Sequence, residues 1–136
     1  MKKKNELESK NENNLIKNLK YDVKFDDGTK YNITAELSEL TNEQNNEVVK
    51  MQNVTAIFID KGNLPLIITS DYAVFDNKTY NSLFRNNVSI NYINNSINSE
   101  KLFLDFEENV ITINDNIIYE SANGIGKADN IKINLT

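Results

Sequence analysis

From Tyr21 onward the chain alternates apolar and polar residues with a period of two, in short runs separated by turn-forming residues. That period marks strands with one buried face. The runs cover 21–25, 30–40, 48–60, 65–75, 80–84, 88–93, 96–105, 110–113, 117–121 and 125–135, which predicts about ten strands. The breaks between them are Asp26-Asp27-Gly28, the polar stretch 41–46, Asp60-Lys61-Gly62-Asn63, Asp76-Asn77-Lys78, Asn86-Asn87, Asn94-Asn95, Glu107-Glu108-Asn109, Asp115-Asn116 and Asn123-Gly124. Pro65 opens its run, where a missing N–H costs no ladder bond. Turns this short join antiparallel neighbours, because parallel strands need long crossovers. No segment beyond residue 20 holds a helical period. The fold class is therefore all-β. Residues 1–18 are polar, charged and aperiodic and read as a disordered linker, which leaves 19–136 as the domain.

One phrase recurs along these strands. Ile33-Thr34-Ala35-Glu36 is followed by Leu37-Ser38-Glu39-Leu40, and the same pattern returns from Ile68, from Ile97 and, more weakly, from Gly126. Aligned on the small residue, the copies fall at 35, 70, 99 and 128, with spacings of 35, 29 and 29 residues. A second phrase interleaves with it: Asn53-Val54, Asn87-Val88 and Asn116-Ile117. Such recurrence means that one supersecondary unit buries its apolar face by stacking on its neighbours. Within the phrase, positions 1 and 3 have the opposite parity to positions 6 and 8. All four point inward only if the strand bulges or bends near the acid at position 4. The acids Glu36, Asp71, Glu100 and Asp129 then face solvent at a kink. As catalytic carboxylates or calcium ligands they lack the company such sites need: several oxygens in one loop, or one carboxyl in an apolar pocket.

Composition narrows the chemistry. The chain has 136 residues, enough for one domain with a real core, and a net charge of −5, which argues against a nucleic-acid partner. Cysteine and histidine are both absent, removing thiol nucleophiles, imidazole acid–base catalysis and most zinc and iron sites. No enzyme activity, cofactor or metal is expected. Asparagine, at 25 residues, is the outlier; an A+T-rich coding sequence accounts for it, and Asn also does turn work because it tolerates the left-handed conformation. No run approaches the ~20 apolar residues that span a bilayer. The basic opening Lys2-Lys3-Lys4 has no apolar segment behind it, as a signal peptide would.

The apolar positions carry the functional reading. Ile68, Ala73, Phe75, Val88, Ile90, Leu102, Leu104, Ile117, Tyr119, Ile131 and Ile133 can line one inner surface. Two packed sheets would make that surface an ordinary sandwich core. Splayed sheets would make it an elongated apolar groove suited to acyl chains.

The ordered phrases from Ile68 to Phe75, Asn86-Asn87-Val88 to Ile90, and Ile97 to Leu104 resemble the lipopolysaccharide-export family that includes LptC, LptA and the N-terminal domain of LptD. In that family an apolar-x-Ala-x-x-Ala-x-Tyr phrase precedes Gly-Asn-Val and an alternating strand. Here Asn86-Asn87-Val88 stands for Gly-Asn-Val, and Ala73 and Phe75 for the Ala and the aromatic. The resemblance covers roughly residues 20–136, and the order of parts is most like LptC. It implies an open antiparallel β-jellyroll (a β-taco) that holds lipid A acyl chains in the apolar interior named above, with no catalysis. It also implies a relay between an inner-membrane ABC transporter complex (LptBFG-like), facing 21–25 at the N-terminal edge, and an LptA-like protein. The latter adds its strand at 125–135, the C-terminal edge. A soluble LptA-like bridge component, or an adhesive repeat protein without a ligand, are the alternatives. The location implied is periplasmic, anchored by an inner-membrane helix that this chain does not carry. A trimmed or partial chain is the simplest account of that.

Overall fold

The computed structural model describes residues 14–60 and 64–135. Among these described residues eight strands form one antiparallel sheet in strict sequence order. They are β1 (Leu15–Lys24), β2 (Lys30–Glu43), β3 (Asn46–Ile59), β4 (Pro65–Asp76), β5 (Ser82–Tyr92), β6 (Asn95–Asp105), β7 (Val110–Ser121) and β8 (Gly124–Asn134). The fold is all-β and antiparallel, as the alternation and turns predict, and it is an open β-jellyroll, as the resemblance implies. The ten predicted runs make eight strands among the described residues for a specific reason. Asn86-Asn87 and Asp115-Asn116 are not turns but bulges inside β5 and β7, where the register shifts by one residue and the strand continues. Their φ angles of 67°, 53°, 72° and 55° are left-handed, so a turn-like residue pair is what the bulge itself requires.

Other boundaries move for similar reasons. The polar stretch 41–46 mostly belongs to strands, and the chain reverses at Gln44-Asn45 alone, both with positive φ, as a two-residue hairpin demands. Leu15 to Asn18, assigned to the linker from composition, are in β1, and Leu15, Ile16 and Lys17 pair with β2. The rest of that linker, residues 1–13, lies outside the described residues, as do 61–63 of the turn after Asp60.

The expected kink is present, and it crosses the whole sheet. On β2 the buried positions are Tyr31, Ile33 and Ala35, then Ser38, so parity changes at Glu36-Leu37. Parity changes likewise at Asp71 on β4 and Glu100 on β6. Strands β1, β3, β5 and β7 carry left-handed asparagines at the same level: Asn18, Asn53, Asn87 and Asn116. This belt is the crease along which the sheet folds into two facing leaves. One leaf runs from the belt to the hairpins at 25–29, 93–94 and 122–123 and to the strand ends at Ile59 and Pro65. The other runs to 44–45, 77–81 and 106–109.

Both phrases of the repeat have their physical role at this crease. Asn53 Nδ2 donates to Glu36 Oε1 at 2.9 Å, and Asn87 Nδ2 donates to Asp71 Oδ2 at 2.7 Å. The left-handed Asn of one strand is thus tied to the acid of its neighbour. On the inner side the small residue keeps the crease tight, and where it is serine the hydroxyl bridges the bend. Ser70 Oγ donates to the Tyr72 carbonyl at 2.9 Å and Ser99 Oγ to that of Lys101 at 3.3 Å. Asn87→Val forces a β-branched residue into left-handed space and is expected to cost about 1–2 kcal/mol, whereas Asn87→Gly stays near wild type. Urea midpoints of the two variants check this; equal losses would show that the side-chain bond, not φ, matters.

Candidate functional site

The two leaves enclose one continuous apolar core, and what decides its chemistry is where the leaves meet and where they part. Toward β1–β4 they are locked by aromatic rings. Phe75 stacks on Tyr21 with ring centroids 5.0 Å apart. Phe106, in the β6–β7 turn of one leaf, sits 5.0 Å from Phe25 and 5.1 Å from Tyr31 of the other. Tyr31 is fully buried, and its hydroxyl donates across the interior to Ser82 Oγ at 2.8 Å, which in turn donates to the Tyr80 carbonyl at 3.0 Å.

Burial pushes the Tyr31 phenol well above its ordinary value of 10.0, outweighing the lowering effect of the bond to Ser82. The folded protein keeps this proton at a pH where the unfolded chain releases it. Stability is therefore unaffected below the unfolded value and falls above pH ~10, by about 1.4 kcal/mol per pH unit. Tyr31→Phe is expected to flatten this alkaline slope in urea titrations at increasing pH; an unchanged slope would assign it elsewhere.

Toward β5–β8 the leaves part. A lateral cleft of about 420 Å³ opens between Leu64, Leu66, Tyr92 and Ile97 on one side and Ile133 and Leu135 on the other. Phe58 and Ile90 also line it, and Asn95, Asn134, Asp60 and Tyr119 bring polar atoms to it. The Tyr119 hydroxyl donates to Asn95 Oδ1 at 2.8 Å, so the phenol's polar tip is satisfied while its ring faces the cleft. The cleft exists because the last strands are barely covered. β7 beyond Ile117 has no buried residue, the apolar residues of β8 that reach the core are only half-buried, and Ile125 is 70% exposed.

The eleven residues expected to line the interior divide between these regions. Ile90, Tyr119 and Ile133 line the cleft. Ile68, Ala73, Phe75, Val88, Leu102, Leu104 and Ile117 are packed in the closed core, and Ile131 lies half-buried against it. Sequence reasoning missed Phe58, Leu64, Leu66, Tyr92, Ile97 and Leu135. Most of these sit at strand ends next to the hairpins, and their shared signal is an apolar residue facing inward where the strand meets the open lip. Glu36, Asp71, Glu100 and Asp129 lie one to a strand along the belt, and Asn partners hold the first two. Among the described residues no cluster of acids is arranged to hold a metal ion.

A single antiparallel sheet, creased along its middle around an apolar interior and open on one flank, defines the open β-jellyroll class. The family model for LptC, described as lipopolysaccharide-assembly, LptC-related, matches residues 1–136, and the chain belongs to this family. Its role therefore lies in lipopolysaccharide transport, as a transport component. A comparison with curated proteins finds no match. Among the described residues no helix is long and apolar enough to cross a membrane.

Proposed function

We propose that this chain is a relay subunit that receives acyl chains of lipopolysaccharide in the cleft beside β5–β8 and passes them onward. The observation that carries this reading is the asymmetry of the interior: rings fill it toward β1, and it is accessible from the side toward β8. An apolar cavity that opens laterally admits a chain while its sugar head group stays in water, which an end-on tunnel does not. The two edges of the sheet support a place in a bridge. β1 and β8 are the edge strands, each with one neighbour among the described residues. Such edges accept strands from partners. On this reading the β1 edge meets the inner-membrane ABC transporter complex and the β8 edge meets an LptA-like protein by strand addition. The domain works in the periplasm, tethered to the inner membrane.

Native mass spectrometry of the protein mixed with purified lipopolysaccharide tests capture. A one-to-one adduct is expected, reduced by the cleft substitution Ile133→Asp. An adduct insensitive to every cleft substitution would place binding elsewhere, and no adduct at all would remove the reading.

A further inference from the structure

The cleft has a built end. Phe58 and Leu135 line the 420 Å³ cleft on one side and a separate 140 Å³ pocket on the other, where the β1–β2 and β6–β7 turns approach each other. We propose that Phe58 and Leu135 act as an end-stop, so that the site takes one unbranched alkyl chain and these two residues set how far it enters. The inference rests on the reading of the cleft as the chain-binding site and adds its capacity and its ruler.

Three observations support it. The wall is fixed at both ends rather than loosely packed: the Leu135 N–H donates to the Asn109 carbonyl at 2.9 Å, and the Phe58 ring lies 6.0 Å from Phe106. Phe106 is itself held, its N–H donating to Asn81 Oδ1 at 2.8 Å. Behind the wall lies the 140 Å³ pocket, bounded by Phe25 and Phe106, and the wall keeps it separate from the cleft. The cleft's size is the third point. It lies near the lower end of the ~300–1,000 Å³ that sites for one small ligand occupy, and several acyl chains side by side would need more. One chain of a multiply acylated lipid therefore enters at a time, and the others remain at the lip near Leu64 and Ile93.

Calorimetric titration with octyl, decyl, dodecyl and tetradecyl maltoside, each below its micelle concentration, tests this. For the wild-type chain, affinity is expected to rise by about fourfold per added methylene and then stop rising once the chain reaches the wall. Leu135→Ala, near the end of the described chain, and Phe58→Ala each join the small pocket to the cleft and are expected to move that break to longer chains. Leu135→Ala alone suffices if Phe58→Ala fails to fold. A continuous rise with no break in the wild type, or a break unmoved in folded variants, overturns the end-stop and leaves the proposed function standing. Absence of binding by any maltoside to the wild type would instead remove the chain-binding reading itself.

Discussion

Phe75→Asp is expected to unfold the protein rather than disable one site. Phe75 has no exposed surface and is the ring on which three others converge: Tyr21 at 5.0 Å, Tyr80 at 6.0 Å and Tyr31 at 6.4 Å. Removing a buried phenylalanine ring costs about 3–5 kcal/mol before any polar group is introduced. A carboxylate left in that apolar site adds a desolvation cost of several kcal/mol more, or remains protonated at a similar penalty. Domains of this size have about 5–15 kcal/mol in total. The expected result is loss of the strand signature in circular dichroism and of a cooperative urea transition, with Phe75→Leu remaining folded. A folded Phe75→Asp would mean that the leaves are not packed together at β4. The same reasoning applies to Ile90→Asp, since Ile90 is also buried, so neither substitution can report on ligand capture alone.

The second large effect is on binding, and it belongs to residues at the mouth. Tyr119 is 37% exposed and Ile133 half-buried, so aspartate at either position reaches water and leaves the core intact. Stability is expected to change by no more than about 1 kcal/mol. Capture of lipopolysaccharide is expected to fall by about tenfold or more, since a charge replaces apolar lining in the proposed chain site. Asp71→Asn serves as the control. It changes a hydrogen bond from Asn87 on the outer side of the crease, worth about 0.5–1.5 kcal/mol, and leaves the cleft untouched. Equal loss of capture from Asp71→Asn and Tyr119→Asp would move the site from the cleft to the belt.

Much of this architecture is legible in the residues. Period-two alternation and short turns dictate an antiparallel sheet in sequence order, and the parity conflict within the repeat dictates the crease. What local pattern does not distinguish is a bulge from a hairpin. Asn86-Asn87 and Asp115-Asn116 have the composition of turns because both structures need left-handed backbone, and only pairing with a neighbouring strand separates them. Asn18 shows the same limit: in a polar stretch it reads as linker, yet it takes the belt position on β1. The interior was harder to read. Leu102 and Ile133 are equally apolar and both inward-facing, but one is sealed by the opposite leaf and the other is not. That difference comes from how far the leaves overlap along the sheet, which depends on Phe106 reaching across to Phe25 and Tyr31, a contact between segments about eighty residues apart.

The central claim is that acyl chains lie in the lateral cleft and not along the whole interior or on the outer face. Photo-crosslinking to lipopolysaccharide from a benzophenone side chain placed in turn at Tyr119, Ile133, Leu64 and the outward-facing Arg85 tests it most directly. Transfer from the first three positions and none from Arg85 is the predicted result. Transfer from Arg85 with none from the three cleft positions would contradict the account.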